Sequence, residues 1–183
     1  IGVGRSGGTS LTPFVANGML DVATENASTD IASANLIIVA TPVAQTKKIL
    51  ADIYPFLSKK TVVTDVGSTK SDVMNVAKES LKEKFNQFIG SHPIAGSEKH
   101  GPSAANYKLF ENKDIIITPH DNSLDTSINY LKEFWVSLGG RISTMTPAIH
   151  DEIFSTVSHI PHLLAFGLVN LINNKSNKDQ LLN

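Results

Sequence analysis

The chain has 183 residues, 41% of them apolar, which is enough to bury one sizeable core, or one domain and the start of a second. Sixteen Lys and Arg stand against seventeen Asp and Glu with no basic block, which argues against nucleic acid as the main partner and leaves a small anionic metabolite as a candidate ligand. Disulfides and thiolate chemistry are excluded by the lack of Cys, and with no signal-peptide pattern and no apolar run near the roughly 18 residues of a membrane span, a cytoplasmic protein is expected.

At the start, Gly2-Val3-Gly4-Arg5-Ser6-Gly7 spells the G-x-G-x-x-G pattern of dinucleotide-binding loops. That pattern needs a strand before it, then a helix and a second strand ending in an acid. Only Ile1 precedes Gly2, and the stretch up to Leu36 offers one helix, Ser10 to Asn17 closed by Gly18, and no evident second strand. The alternative reading makes Ile1 to Gly4 the end of the second strand of a dinucleotide fold, with the first strand and its glycine loop missing. Arg5 and Ser6 then stand where an adenosine ribose is read, and an Arg there favours NADP over NAD.

Short β-branched runs follow at Leu36–Ala40, Thr61–Asp65, Phe88-Ile89, Asp114–Thr118 and Arg141–Met145, and read as buried strands. Between them, Val73, Val76, Ala77, Leu81 and Phe85 share a helical face behind a Ser71 cap. Ile128, Leu131, Trp135 and Leu138 share another before Gly139. This alternation predicts an α/β, Rossmann-like, mostly parallel sheet with helices on both faces. Its ligands should lie at the carboxyl ends of the strands, where Thr41-Pro42, Gln45, Asp65, Gly67 and the His92 loop fall.

From His150 to Ile172 the chain becomes one long apolar helix, expected to be buried against a partner and kinked at Pro161. The expected division is residues 1–146 for the dinucleotide-binding domain and 147–183 for the start of an all-helical dimerisation domain. The polar tail from Asn173 is expected to fray. There is no internal repeat.

Chemistry concentrates in Gly90-Ser91-His92-Pro93-Ile94-Ala95-Gly96-Ser97-Glu98, with Ser158-His159-Ile160-Pro161-His162 as its complement. A positioned His with a carboxylate six residues on suits acid-base work, Glu98 being either a carboxylate that orients the His or a helix-start residue. His159-x-x-His162 has a metal-like spacing without a third ligand, so no metal is expected. His100 and His120 are read as solvated, and His150-Asp151 as a helix start.

The segments Thr64-Asp-Val-Gly-Ser-Thr-Lys70, Gly90 to Glu98, Gly101-Pro-Ser-Ala-Ala105 and His150-Asp151 with Ser158 to His162 resemble the prephenate dehydrogenase family, including its arogenate dehydrogenase relatives. Four motifs in register cover nearly the whole chain. The resemblance implies oxidation of prephenate to 4-hydroxyphenylpyruvate with loss of carbon dioxide, in tyrosine biosynthesis. It implies NAD or NADP as cofactor, against which Thr41, Pro42 and Gln45 lie, and a homodimer formed through the C-terminal helical region. His92 becomes the base, Ser68 the group that holds the substrate hydroxyl or His92 in line, and Ser158, His159 and His162 substrate contacts. His162 favours prephenate over arogenate by analogy. Two departures from the family pattern are the missing pyrophosphate loop and the lack of an Arg after Arg141 for the ring carboxylate. The alternative from another class is a non-catalytic dinucleotide-fold module for ligand binding or dimerisation.

Overall fold

In the computed structural model, residues 1–4, 11–24, 27–96 and 104–175 are described. Three short ladders make the sheet. β1 (Gly2–Val3) pairs in parallel with β2 (Ala23–Thr24), with α1 (Thr12–Ala16) between them and α2 (Ala27–Ala32) after. Thus a second strand does precede Leu36, against expectation; at two residues it is too short to leave a period in the sequence. β3 (Leu36–Val39) pairs in parallel with β4 (Val62–Asp65), Leu36 opposite Val62 and Val39 opposite Asp65.

A parallel bridge from Val63 to Phe88 carries the sheet on to β5 (Gly90–Pro93). β5 runs antiparallel to β6 (Asp114–Thr118), which pairs in parallel with β7 (Arg141–Thr144). The fifth strand therefore starts two residues later than the Phe88-Ile89 run suggests. His92 lies inside it, opposite Ile116, and not in a loop beyond it.

Alternation along the strands explains the two covered faces. Val63 and Phe88 join a core with Leu50 and Ile53 of α3 (Thr46–Ile53) and with Val73, Met74, Ala77 and Leu81 of α4 (Ser71–Leu81). Their neighbours Val62 and Ile89 face the other way, onto Ile115, Ile117 and Leu131 and Trp135 of α5 (Asp125–Ser137). The chain is thus an α/β layered fold of mostly parallel strands, as the sequence implies. α4 ends at Leu81, where Lys82 takes a positive φ of 49°, so Phe85 lies on a following 3-10 turn and not on the helix. His120, expected in solvent, stacks on Phe85 at 3.8 Å and bonds through Nε2 to the Phe85 and Phe88 carbonyls, each at 3.2 Å.

The last helix begins as α6 (Pro147–Phe154), capped by the Thr146 hydroxyl, passes through a π turn at Ser155–His159 and continues as α7 (Ile160–Asn173). Pro161 sits in the first turn of α7, where its missing N–H and ring are tolerated. In the single chain this helix is not buried: Leu163, Leu164 and Phe166 are 70%, 68% and 74% exposed. Pro147–Asn173 is also long and apolar enough, by length and composition, to cross a membrane. A count of uninterrupted apolar residues misses this because His159, Pro161 and His162 break the run.

Candidate active site

The site forms where β4, β5 and α6 meet. After β4 the chain turns through Val66–Thr69 into α4, and Lys70 folds back inside. Its ammonium is fully buried, paired with Asp65 and donating to the Ser91 carbonyl at 2.9 Å. Asp65, 2% exposed, also accepts from the Gly67 N–H at 2.8 Å and the Ser91 N–H at 3.3 Å. Burial pushes the Asp65 carboxyl up and the Lys70 ammonium down, while each partner opposes the shift of the other. The pair ties the end of β4 to β5 at the residue before His92.

Ser91 secures β5 from the other face. Its hydroxyl bonds Thr64 Oγ1 at 2.7 Å and accepts from Trp135 Nε1 at 3.2 Å. With Ser91 turned toward α5, alternation turns His92 and Gly90 toward α4 and α6. A Cβ on Gly90 would overlap the Thr118 hydroxyl and press on Lys70 Cδ at 3.3 Å, which is why this motif opens on glycine.

α6 delivers the partner of His92. Asp151 accepts from the Lys70 and Ser71 N–H groups, both at 2.8 Å, and so satisfies two orphan donors at the α4 N-terminus. The expected Ser71 cap is thus supplied by a carboxylate eighty residues away. The docking sets His150 Nε2 2.8 Å from His92 Nδ1 and His150 Nδ1 2.8 Å from Asp151 Oδ1. Phe154 covers both rings, stacked on His150 at 4.6 Å and edge-on to His92 at 5.1 Å. Burial, then the neighbouring His150, Lys70 and His159, push His92 down to about 4. Asp151 is held at about 2: burial would raise it, but hydrogen bonds from Ser71, His150 and Lys70 outweigh that. At neutral pH His92 is an uncharged imidazole, as a base must be.

Other expected residues lie as follows. Ser68 is exposed in the β4–α4 loop and makes no hydrogen bond to His92. Ser158 and His159 are half-buried on the π turn, His159 close enough to act electrostatically on His92, and His162 is exposed on α7. Pro42 precedes and Gln45 ends a 3-10 turn after β3. Asp65 and Gly67 face inward: a Cβ on Gly67 would meet Val43 Cγ2 at 2.9 Å. Arg5, Ser6, Glu98 and His100 lie outside the described residues. Sequence reading missed Lys70 as a buried anchor and gave His150-Asp151 only a capping role. The adjacent His-Asp pair was the available signal, but its 58-residue separation from His92 hides the contact.

Comparison with known proteins bears on this arrangement directly. Residues 10–144 match the prephenate dehydrogenase nucleotide-binding domain, and residues 146–183 match the prephenate dehydrogenase dimerization domain. The chain belongs to the prephenate dehydrogenase family. Its similarity to the prephenate dehydrogenase of Bacillus subtilis strain 168 is 34% identity over 161 residues, 87% of this chain and 43% of that protein. Among solved structures, Aquifex aeolicus prephenate dehydrogenase in complex with hydroxyphenyl propionate and NAD+ superposes with a TM-score of 0.83 at 31% identity, covering 91% of this chain and 57% of that one. Synechocystis arogenate dehydrogenase gives 0.82 at 28% identity, covering 98% and 63%. The chain thus spans about half the length of such relatives.

This prephenate dehydrogenase family member has a nucleotide-binding fold, and its residues can be tested against a dinucleotide. Such folds bind it outside the carboxyl ends of the strands. β3 and β4 end side by side at Val39 and Asp65, so the segments 40–45 and 66–70 open on one edge. There the Thr41 hydroxyl is shielded and has no hydrogen-bond partner, a donor left over by the protein's own bonding. Thr41, Pro42 and Gln45 thus stand at the strand ends where such folds receive a dinucleotide. The segment that joins β1 to α1 lies largely outside the described residues, and no phosphate cradle is assigned there.

Proposed function

We propose that the enzyme containing this chain oxidises prephenate to 4-hydroxyphenylpyruvate with release of carbon dioxide, using NAD or NADP. The observation that carries the reading is His92, an uncharged imidazole near the end of β5 with one ring nitrogen tied back to His150 and the other without a partner among the described residues. The Aquifex aeolicus relative supports it, because hydroxyphenyl propionate shares the hydroxyphenyl acid skeleton of the proposed product. When bound, the nicotinamide supplies the hydride acceptor.

The chain's own residues perform the rest. His92 takes the proton of the ring hydroxyl, so that a carbonyl forms and draws electrons as the ring carboxylate leaves. Phe154 excludes water from the imidazole pair, and Ser68 meets the substrate hydroxyl from the β4–α4 loop. Ser158, His159 and His162 receive the substrate's carboxylate side, and Glu98 supports His92. Arg5 and Ser6, which follow β1 in the chain, contact the dinucleotide, with Arg5 favouring NADP. Residues 1–146 serve the nucleotide and 147–183 begin the dimerisation unit, whose exposed apolar face on α7 would be covered by a second copy in a cytoplasmic homodimer.

The test uses the complete enzyme with prephenate or arogenate and NAD or NADP, following reduced nicotinamide by absorbance. Prephenate-dependent reduction is expected, with His92→Asn slowing it by about 10²-fold or more. Faster turnover of arogenate would reassign the substrate, and Arg5→Ala hurting NAD as much as NADP would remove the 2′-phosphate role. No reduction with any pair, or little loss in His92→Asn, would overturn the reading.

A further inference from the structure

We propose that His150 is a positioning residue that holds His92 in the one tautomer able to act as a base, with its Nε2 unprotonated and facing the substrate. The inference rests on the role given to His92 above, and it follows from the order of donors in the chain Asp151–His150–His92. An ionised carboxylate only accepts, so the 2.8 Å contact between Asp151 Oδ1 and His150 Nδ1 requires the proton on Nδ1. His150 is fully buried and is kept uncharged chiefly by that burial, so its Nε2 carries a lone pair. At 2.8 Å from that lone pair, His92 Nδ1 must then be the donor. A neutral imidazole has one N–H, and His92 Nε2 is left as the acceptor.

The rest of the site holds this polarity. Asp151 cannot swing away, because its two oxygens are taken by the Lys70 and Ser71 N–H groups as well as by His150. Phe154 stacked on His150 restricts the ring to its plane. If His150 took up a proton, its Nε2 would donate, the donor order would reverse, and His92 Nε2 would carry the hydrogen. Among the described residues, the charged and titratable groups facing the pair are Lys70 and Asp65 from the β4–α4 side, Asp151 on α6 itself and His159 on the π turn. Lys70 opposes protonation of both rings and His159 that of His92, while Asp151 favours it. Proton uptake by His92 during the reaction is met by the Asp151 charge one imidazole away, so the pair also stabilises the imidazolium that forms.

The first experiment needs no substrate: 15N-histidine NMR of the wild-type enzyme at neutral pH should show His92 with a pyrrole-like Nδ1 and a pyridine-like Nε2. The second compares His150→Phe, which keeps a flat ring against Phe154 but removes the acceptor, with His150→Gln, whose amide oxygen can still accept from His92. His150→Phe should lower kcat by about 10²-fold while KM changes little, and His150→Gln should recover about tenfold of that. A pyridine-like Nδ1 on wild-type His92 would overturn the proposal, whether or not the variants fold. Equal kcat in His150→Phe and wild type, or a loss confined to KM, would also overturn it. Absence of prephenate turnover in the wild type would sink the functional reading alone, since the tautomer is read without it.

Discussion

Removing the Lys70 ammonium should unfold this chain more readily than any exposed charge change, and the size of the effect follows from its surroundings. Lys70→Met keeps most of the aliphatic stem but deletes the charge facing Asp65 and the donor to the Ser91 carbonyl. Asp65 would then be a carboxylate of 2% exposure with only the Gly67 and Ser91 N–H groups left to it. Stripping one partner from a buried pair costs about 3–5 kcal/mol, because an uncompensated charge stays behind. With a urea m-value of about 2 kcal/mol/M, the midpoint should fall by about 1.5–2.5 M.

The sign with pH is also determined. Without Lys70 the folded-state pKa of Asp65 rises further above its unfolded value, so the variant's deficit is smallest below about pH 4 and grows as pH rises through the folded pKa. Urea unfolding followed by tryptophan fluorescence, with Trp135 as the single reporter, measures it at pH 4.5 and pH 7. Lys70→Met combined with Asp65→Leu should regain much of the loss. A single variant as stable as wild type, or a double variant no better than the single, would refute the account.

Two further outcomes are expected. Because His92 is pushed down to about 4, its share of stability is complete above about pH 6.5, its ordinary value, and is lost as pH falls toward 4. In the same range kcat/KM should bend on its acid side near 4, and a bend at 6.5 attributable to His92 would contradict the buried pairing with His150. Gly90→Ala should cost about 1–3 kcal/mol in thermal or urea unfolding by forcing a methyl group against Thr118 and Lys70, and a neutral result would mean the β5–β6 register is looser than described.

The layered fold is legible in the residues alone, because runs such as Leu36–Val39 and Asp114–Thr118 and the apolar stripes of α4 and α5 are local patterns of periods 2 and 3.6. The sequence also marked His92, and the family through its motifs. Strand ends escaped it where pairing, not composition, decides them: β2 is two residues long, and β5 starts late because a bridge from Val63 claims Phe88. The partners of His92 come from packing alone. His150 bonds His92 across 58 residues, and Asp151 caps a helix eighty residues earlier. Nothing in their local sequence distinguishes these two from an ordinary helix start, because a hydrogen-bond partner is chosen by how elements pack. The His92 ring read from sequence as a lone base is, in the folded chain, bonded to a buried His150 that the part-exposed Asp151 carboxylate holds from its other side.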